Sequence, residues 1–163
     1  MKDTLVLVVS DSHGIQSNLY RTVMRTQPDI IYHLGDAVGF EDEIRSECGV
    51  PFYYVRGNCD FGSDAPIYQV TSLGRHKIFL THGHMYNVKY SDHDLICAAM
   101  KEGCDTVIFG HTHIPELIRT DGMTIINPGS ISLPRQPGRI PTYATIDVDS
   151  EGELHFTINE LKD

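Results

Sequence analysis

Seven side chains of metal-binding type stand at regular intervals along the chain: Asp11 and His13, then Asp36, Asn58, His82, and finally His111 and His113. The gaps between successive clusters are 23, 22, 24 and 29 residues, each about one strand with its connection. Three oxygen donors and four imidazoles suit a borderline divalent ion such as Mn²⁺, Fe²⁺, Zn²⁺ or Co²⁺ better than Mg²⁺ or Ca²⁺ alone. Seven ligands exceed what one ion takes, but if Asp36 bridges, the contacts divide into two sets of four. Two divalent ions against two aspartates leave a local charge of about +2, which attracts a phosphoryl group. A hydroxide bridging the ions is then a ready nucleophile for hydrolysis of a phosphate ester.

Such residues converge only if the elements before them end at one edge. "TLVLVV" (4–9), "IIYHLGD" (30–36), "PFYYVRGNCD" (51–60) and "DTVIFGHTH" (105–113) are apolar, β-rich runs that stop in polar, glycine-bearing turns, as buried strands do. Ligands to open α/β sheets gather at the carboxyl edge of such strands. Between them, Ile15, Leu19 and Val23 form a helical stripe that stops before Pro28, and "EDEIRSEC" (41–48) is a short helix. "SDHDLICAAMKEG" (91–103) carries a Ser91 cap and a Gly103 stop.

"IYQVTSL" and "KIFLTHGH" pair across a tight turn, and the tail reads as two further hairpins, the first with a primed Asp-Gly turn at 121–122. The front is therefore βαβ and the back β-rich. Two packed sheets with helices outside, an α/β sandwich, are the economical arrangement, and 163 residues are expected to form one domain, 1–163.

Composition narrows the function. Twenty-two acidic against 13 basic residues give a net charge of -9, which argues against a broad nucleic-acid surface. No apolar run is long enough to span a bilayer, and the start lacks the pattern of a signal peptide, so the expected location is cytoplasmic. Cys48, Cys59, Cys97 and Cys104 show no C-x-x-C pairing and are expected as free thiols.

"SDSHG", "LGD", "RGNCD", "THGH" and "FGHTH", in that order and with "NPGS" at 127–130, resemble the motifs of the calcineurin-like metallophosphoesterases. The resemblance is greatest to a small bacterial and archaeal phosphodiesterase branch whose relatives include the scaffold subunit of retromer. It implies a four-layer α-β-β-α sandwich of two mixed sheets flanked by helices. It also implies two ions per chain, Mn²⁺ foremost with Ni²⁺, Zn²⁺, Fe²⁺ or Co²⁺ as alternatives. Asp11, His13, Asp36 and His113 would hold one, and Asp36, Asn58, His82 and His111 the other.

The expected activity is hydrolysis of small phosphate diesters. The alternatives are a phosphomonoesterase, a nucleotide or pyrophosphate hydrolase, or a protein-binding scaffold that has lost the chemistry. Retention of all seven donors argues against the scaffold.

Much of that family has a histidine after the Asn, where this chain has Cys59. As a nucleophile Cys59 is superfluous beside the hydroxide, and as a ligand it would point away from Asn58. A neutral thiol filling the histidine's space is the economical reading, and it makes a poor proton donor. Leaving groups that need little protonation, such as aryl esters, would then be favoured. His84 either supplies the acid missing at Cys59 or orients a neighbour.

Asp60 either holds its turn or binds Arg56, and His33, His76, His93 and His155 have no motif context and are expected as structural or surface residues. Asn127 and Ser130 could floor the site, and Arg135 and Arg139 could contact phosphate or merely be solvated. Val38, Phe40, Phe61, Met85 and Tyr86 could shape a substrate cleft or a contact between copies in a homo-oligomer.

Overall fold

A computed structural model describes residues 3–120 and 122–163. Its elements run β1 (Thr4–Val9), α1 (Ser17–Thr26), β2 (Ile30–His33), α2 (Glu41–Cys48), β3 (Phe52–Tyr54), β4 (Tyr68–Leu73), β5 (His76–Thr81), α3 (His93–Lys101), β6 (Thr106–Ile108), β7 (Pro115–Thr120), β8 (Met123–Pro128), β9 (Thr142–Val148) and β10 (Leu154–Glu160). The strands form two five-stranded sheets, ordered β10-β9-β1-β2-β3 and β4-β5-β6-β8-β7. Both are mixed: β1, β2 and β3 run parallel in the first, with the antiparallel β9–β10 pair on the β1 side, and β5, β6 and β8 run parallel in the second, with antiparallel β4 and β7 at its two edges.

Alternation along the strands makes the layers. Val6 and Val8 of β1 face Ile78, Leu80, Ile108 and Ile126 of the other sheet, while Leu7 and Val9 face Leu19 of α1 and Ile44 of α2. On the far side Phe79 and Val107 pack on Leu95 and Ala99 of α3. The order is helix, sheet, sheet, helix, as the resemblance implies. Because β1 is buried on both faces it can be apolar throughout, which is why it reads as an unbroken run.

Local chemistry sets the helix ends. Three acids in its first turn suit the positive end of α2, and Gly49 ends it at φ 65°. Gln27 closes α1 in the left-handed region just before Pro28. The first N–H of α3 donates to Ser91 Oγ at 3.0 Å, while Asp92 occupies the cap position itself. Of the Asp-Gly turn between β7 and β8, Asp121 lies outside the described residues.

At the end of the sandwich formed by the β4–β5 turn, His76 joins the sheets, its ring nitrogens 3.0 Å from Asp105 and 3.1 Å from Glu153 in the β9–β10 loop. Burial opposes protonation of His76, but the Glu153 and Asp105 carboxylates outweigh it and raise the pKa above its ordinary 6.5. A raised folded-state pKa means stabilisation that is complete below the ordinary value and disappears as pH rises through the raised one. His76→Gln should therefore cost up to about 1 kcal/mol near pH 5.5 and converge on the parent by about pH 9, as measured by urea denaturation at both.

Candidate metal centre

Asp11 and His13 follow β1, Asp36 follows β2, Asn58 follows β3, His82 directly follows β5, and His111 and His113 follow β6. Both sheets thus deliver their carboxyl edges to one place, and hydrogen bonds between the loops fix them there. Asp11 N–H donates to Gly35 O and His13 N–H to Asp36 O, at 3.0 and 2.8 Å. Gly110 N–H donates to His82 O, and Ser130 Oγ donates to the Asp11 carbonyl.

Most donors have one atom anchored by the fold and another presented inward. Asp11 Oδ2 accepts from Ser10 Oγ and from His111 N–H, which leaves Oδ1 facing His113, His13 and His82 Nε2 at 3.2, 3.6 and 3.7 Å. Asp36 Oδ1 accepts from Cys59 N–H, which leaves Oδ2 facing His82 and His13 Nε2 at 3.3 and 3.7 Å. His82 and His113 donate Nδ1–H to the carbonyls of Leu34 and Leu133, so that in each neutral ring Nε2 carries the lone pair. Asn58 gives its amide N–H to Cys59 Sγ at 3.5 Å and turns Oδ1 to within 3.1 Å of His82 Nε2.

These residues fit a cation. Asp11 Oδ1 is buried with no hydrogen bond among the described residues, and His113 Nε2 lies 3.2 Å from His13 Nε2, two imidazoles facing the same point. Donors about 2.0–2.2 Å from a divalent ion stand about 3.0–3.6 Å from one another, close to the spacings present. Three overlapping donor groups result: Asp11 with His13 and His113; Asp11 with Asp36 and His82; and His13 with Asp36 and Cys59. His111 is placed differently, its ring 5.1 Å from that of His82 and 6.2 Å from that of His84, outside all three groups.

The electrostatics follow from burial and neighbours. Burial would raise the Asp11 pKa, but the imidazoles of His113, His13 and His82 hold it well below the carboxylate range. Burial, then the charges of His82 and Lys89, push His111 down to about 4. Burial and the Asp36 charge push the Cys59 thiol up, so it stays protonated at neutral pH and is no ready nucleophile. Its sulfur nevertheless points toward His13 and Asp36, closer to the centre than a mere filler of space.

Supporting residues lie one layer out, and of these only His33 stands outside the quoted motifs. Asp60 accepts from the N–H groups of Asp36, Val38 and Gly57 and from Tyr54 Oη, so it holds the turn, while Arg56 donates to Ser63 O instead. His33 is fully buried and ties Ser12 Oγ to Gly35 N–H, with its pKa lowered to about 4 by burial. Asn127 anchors Gly110 O and Thr112 Oγ1, and Ser130 receives the N–H groups of Ser132 and Leu133, so both floor the ligand loops.

Phe61, Val38 and Phe40 are exposed near these loops, whereas Tyr86 packs on Phe79. Arg139 lines a different surface with Arg21 and Lys162, away from the donors. His33 gives no periodic signal, and its only trace is a polar residue at the end of an apolar strand.

Gly57 is required by close approach: a Cβ there would be driven into the Asp36 carboxylate. Gly57→Ala should keep the far-ultraviolet dichroism of the parent yet weaken divalent-ion affinity by about 10- to 100-fold. Isothermal titration with Mn²⁺ measures this, and an unchanged affinity would show that Asp36 does not hold the ion.

The family model of the calcineurin-like phosphoesterase superfamily domain matches residues 4–151. The chain is 37% identical over 150 residues to the probable metallophosphoesterase YsnB of Bacillus subtilis, covering 90% of this chain and 85% of that one. It is 34% identical over 104 residues to the phosphodiesterase YfcE of Escherichia coli, covering 58% of this chain and 52% of YfcE. The crystal structure of a conserved Streptococcus pneumoniae protein, described as a predicted phosphoesterase, superposes with a TM-score of 0.80 at 28% identity over 99% of both chains. Vps29 of Entamoeba histolytica in complex with Zn²⁺ shares the fold at a TM-score of 0.76 and 21% identity, covering 96% of this chain and 99% of that one. The motifs, the two-sheet sandwich and the match over most of its length place this chain in the calcineurin-like phosphoesterase superfamily.

Proposed function

We propose that the chain is a dinuclear, divalent-metal-dependent phosphodiesterase acting on small phosphate esters. The observation that carries this reading is that the converging donors are flanked by two cavities. One, of about 340 Å³, lies on the Asn58 side and is lined by residues including Arg56, Phe61 and His84. The other, of about 420 Å³, lies on the His111–His113 side and includes Thr112 between those two histidines. A phosphodiester has two substituents to house, and a monoester only one. Similarity to YfcE supports the diester as well, through the part of the chain that the two share.

Asp11, His13, Asp36 and His113 would hold one ion and Asp36, Asn58, His82 and His111 the other, with Mn²⁺ the first expectation. Bound divalent ions supply Lewis acidity and an activated water. The remaining work falls to the chain's own side chains. His84 is the side chain we assign to proton exchange with a substrate oxygen, on the ground that its ring borders the Asn58-side cavity. The protonated Cys59 thiol is a weak donor, so departure of poor leaving groups receives little help from it.

With Mn²⁺ the protein should hydrolyse aryl diesters in preference to aryl monoesters and lose the activity on chelation. A panel of both substrates with Mn²⁺, Ni²⁺, Zn²⁺ and Mg²⁺ checks this. Preference for monoesters or pyrophosphates would replace the diester reading, and inactivity with ions bound would leave a binding scaffold. His84→Ala should lower turnover by at least about 100-fold with ion stoichiometry intact. Unchanged turnover would remove His84 from the mechanism.

A further inference from the structure

The cavity on the His111–His113 side is lined by Val88, Lys89, Thr112, Ile114, Glu116 and Arg135. It adjoins the donor loop directly: Thr112 lies between two candidate ligands, and Arg135 N–H donates to the His113 carbonyl at 3.0 Å. Two cations therefore share one concave surface beside the metal centre of a protein whose net charge is -9.

Their lack of partners sets them apart. Most other cations are engaged: Arg21 with Asp163, Arg45 with Asp42, Arg75 with Glu153, Lys162 with Glu160, and Arg25, Arg56 and Lys77 with backbone carbonyls. Lys89 and Arg135 have no ion pair or side-chain hydrogen bond among the described residues. Lys101, Arg119 and Arg139 share that lack, with Arg119 lying over the Phe156 ring, and none of the three borders this cavity.

Glu116 is the cavity's one acid. Burial, then the negative charge of Asp92 hydrogen-bonded to it, push its pKa to about 7. Near neutral pH Glu116 is therefore drawn toward its protonated form, so Lys89 and Arg135 face less opposing charge than an ordinary carboxylate would supply.

We propose that Lys89 and Arg135 form a subsite for a terminal phosphate group on one arm of the phosphodiester, so that the preferred substrates are diesters that also carry a phosphomonoester. Two cations match a terminal phosphate, which carries about -1.5 to -2 at neutral pH, better than a carboxylate's single charge. Arg135 offers a planar fork for two phosphate oxygens and Lys89 a point charge. Val88 and Ile114 give the apolar wall against which an organic linker packs. The inference rests on the diesterase reading and specifies its substrate.

The test compares the adenosine dinucleotide ApA with its 5′-phosphorylated form, pApA. With Mn²⁺ bound, kcat/KM for pApA should exceed that for ApA by at least about tenfold, the effect of one charge-assisted hydrogen bond. Lys89→Ala and Arg135→Ala should each erase most of that ratio, and Arg135→Lys should restore part of it. Both side chains are exposed, so the variants are expected to melt like the parent.

A second readout is equilibrium binding of the two dinucleotides to chelator-treated protein, where pApA should bind tighter and the substitutions should abolish the difference. Hydrolysis of both dinucleotides at equal kcat/KM, or a preference that survives both substitutions, overturns the subsite while leaving the diesterase reading intact. Absence of hydrolysis of any diester with any ion defeats the diesterase reading instead. The binding comparison then decides the subsite alone, and equal binding of the two dinucleotides overturns it.

Discussion

Two aspartates buried against one imidazole are the constraint on which the rest of the structure depends. Asp11 and Asp36 are almost wholly withdrawn from water, and the presented oxygens of both lie within 3.7 Å of His82 Nε2. Like charges this close repel, and each carries a desolvation penalty of several kcal/mol. A flexible chain would relax by turning one carboxylate outward. Here each is pinned by its other oxygen, Asp11 by Ser10 and His111 N–H and Asp36 by Cys59 N–H. The imidazoles are pinned in the same way through Leu34 and Leu133 carbonyls. The imidazoles offset part of that repulsion, and a divalent cation bound between the carboxylates would relieve the rest.

Holding it also strains the backbone. Asp11, His13, Asp36, His111 and His113 all adopt left-handed φ, between 48° and 71°. Each such residue costs of order 1–3 kcal/mol and persists only where its surroundings over-determine it. A single cross-loop hydrogen bond contributes about 0.5–1.5 kcal/mol, so no one bond suffices. This explains why supporting groups collect several partners each. Asp60 alone gathers three backbone N–H groups and a phenol, and Ser130 gathers two N–H groups while donating to Asp11.

The strands and the donors were legible because each leaves a mark in residue type. A two-faced buried strand such as 4–9 must be apolar throughout, and a donor must be Asp, Asn or His in a turn, so order and spacing expose both. Orientation leaves no such mark. That Asp11 presents Oδ1 rather than Oδ2, or that Asn58 turns its carbonyl inward because Cys59 takes its N–H, depends on contacts between loops distant in sequence. His33 was invisible for the same reason: its partners Ser12 and Gly35 belong to different loops, and a histidine ending an apolar strand resembles any other. Cys59 was legible only as a departure from a family pattern, whereas its position beside His13 and Asp36 is a property of the folded turn.

The donors are divided between the sheets, and this couples the centre to the core. Asp11, His13, Asp36 and Asn58 belong to the first sheet, and His82, His111 and His113 to the second. Their separation is set by the layer in which Val6, Val8 and Leu34 meet Leu80, Ile108 and Ile126, and packed sheets stand about 10 Å apart. Metal geometry tolerates displacements of only about 0.5 Å, so the side-chain volumes of that layer tune the site as surely as the ligands do. The coupling runs the other way too. An ion held by loops from both sheets would bind only when the sheets are together, so its binding free energy would add to their cohesion by mass action. The apolar layer and the polar centre therefore constrain one another, and neither is an ornament on a scaffold fixed by the other.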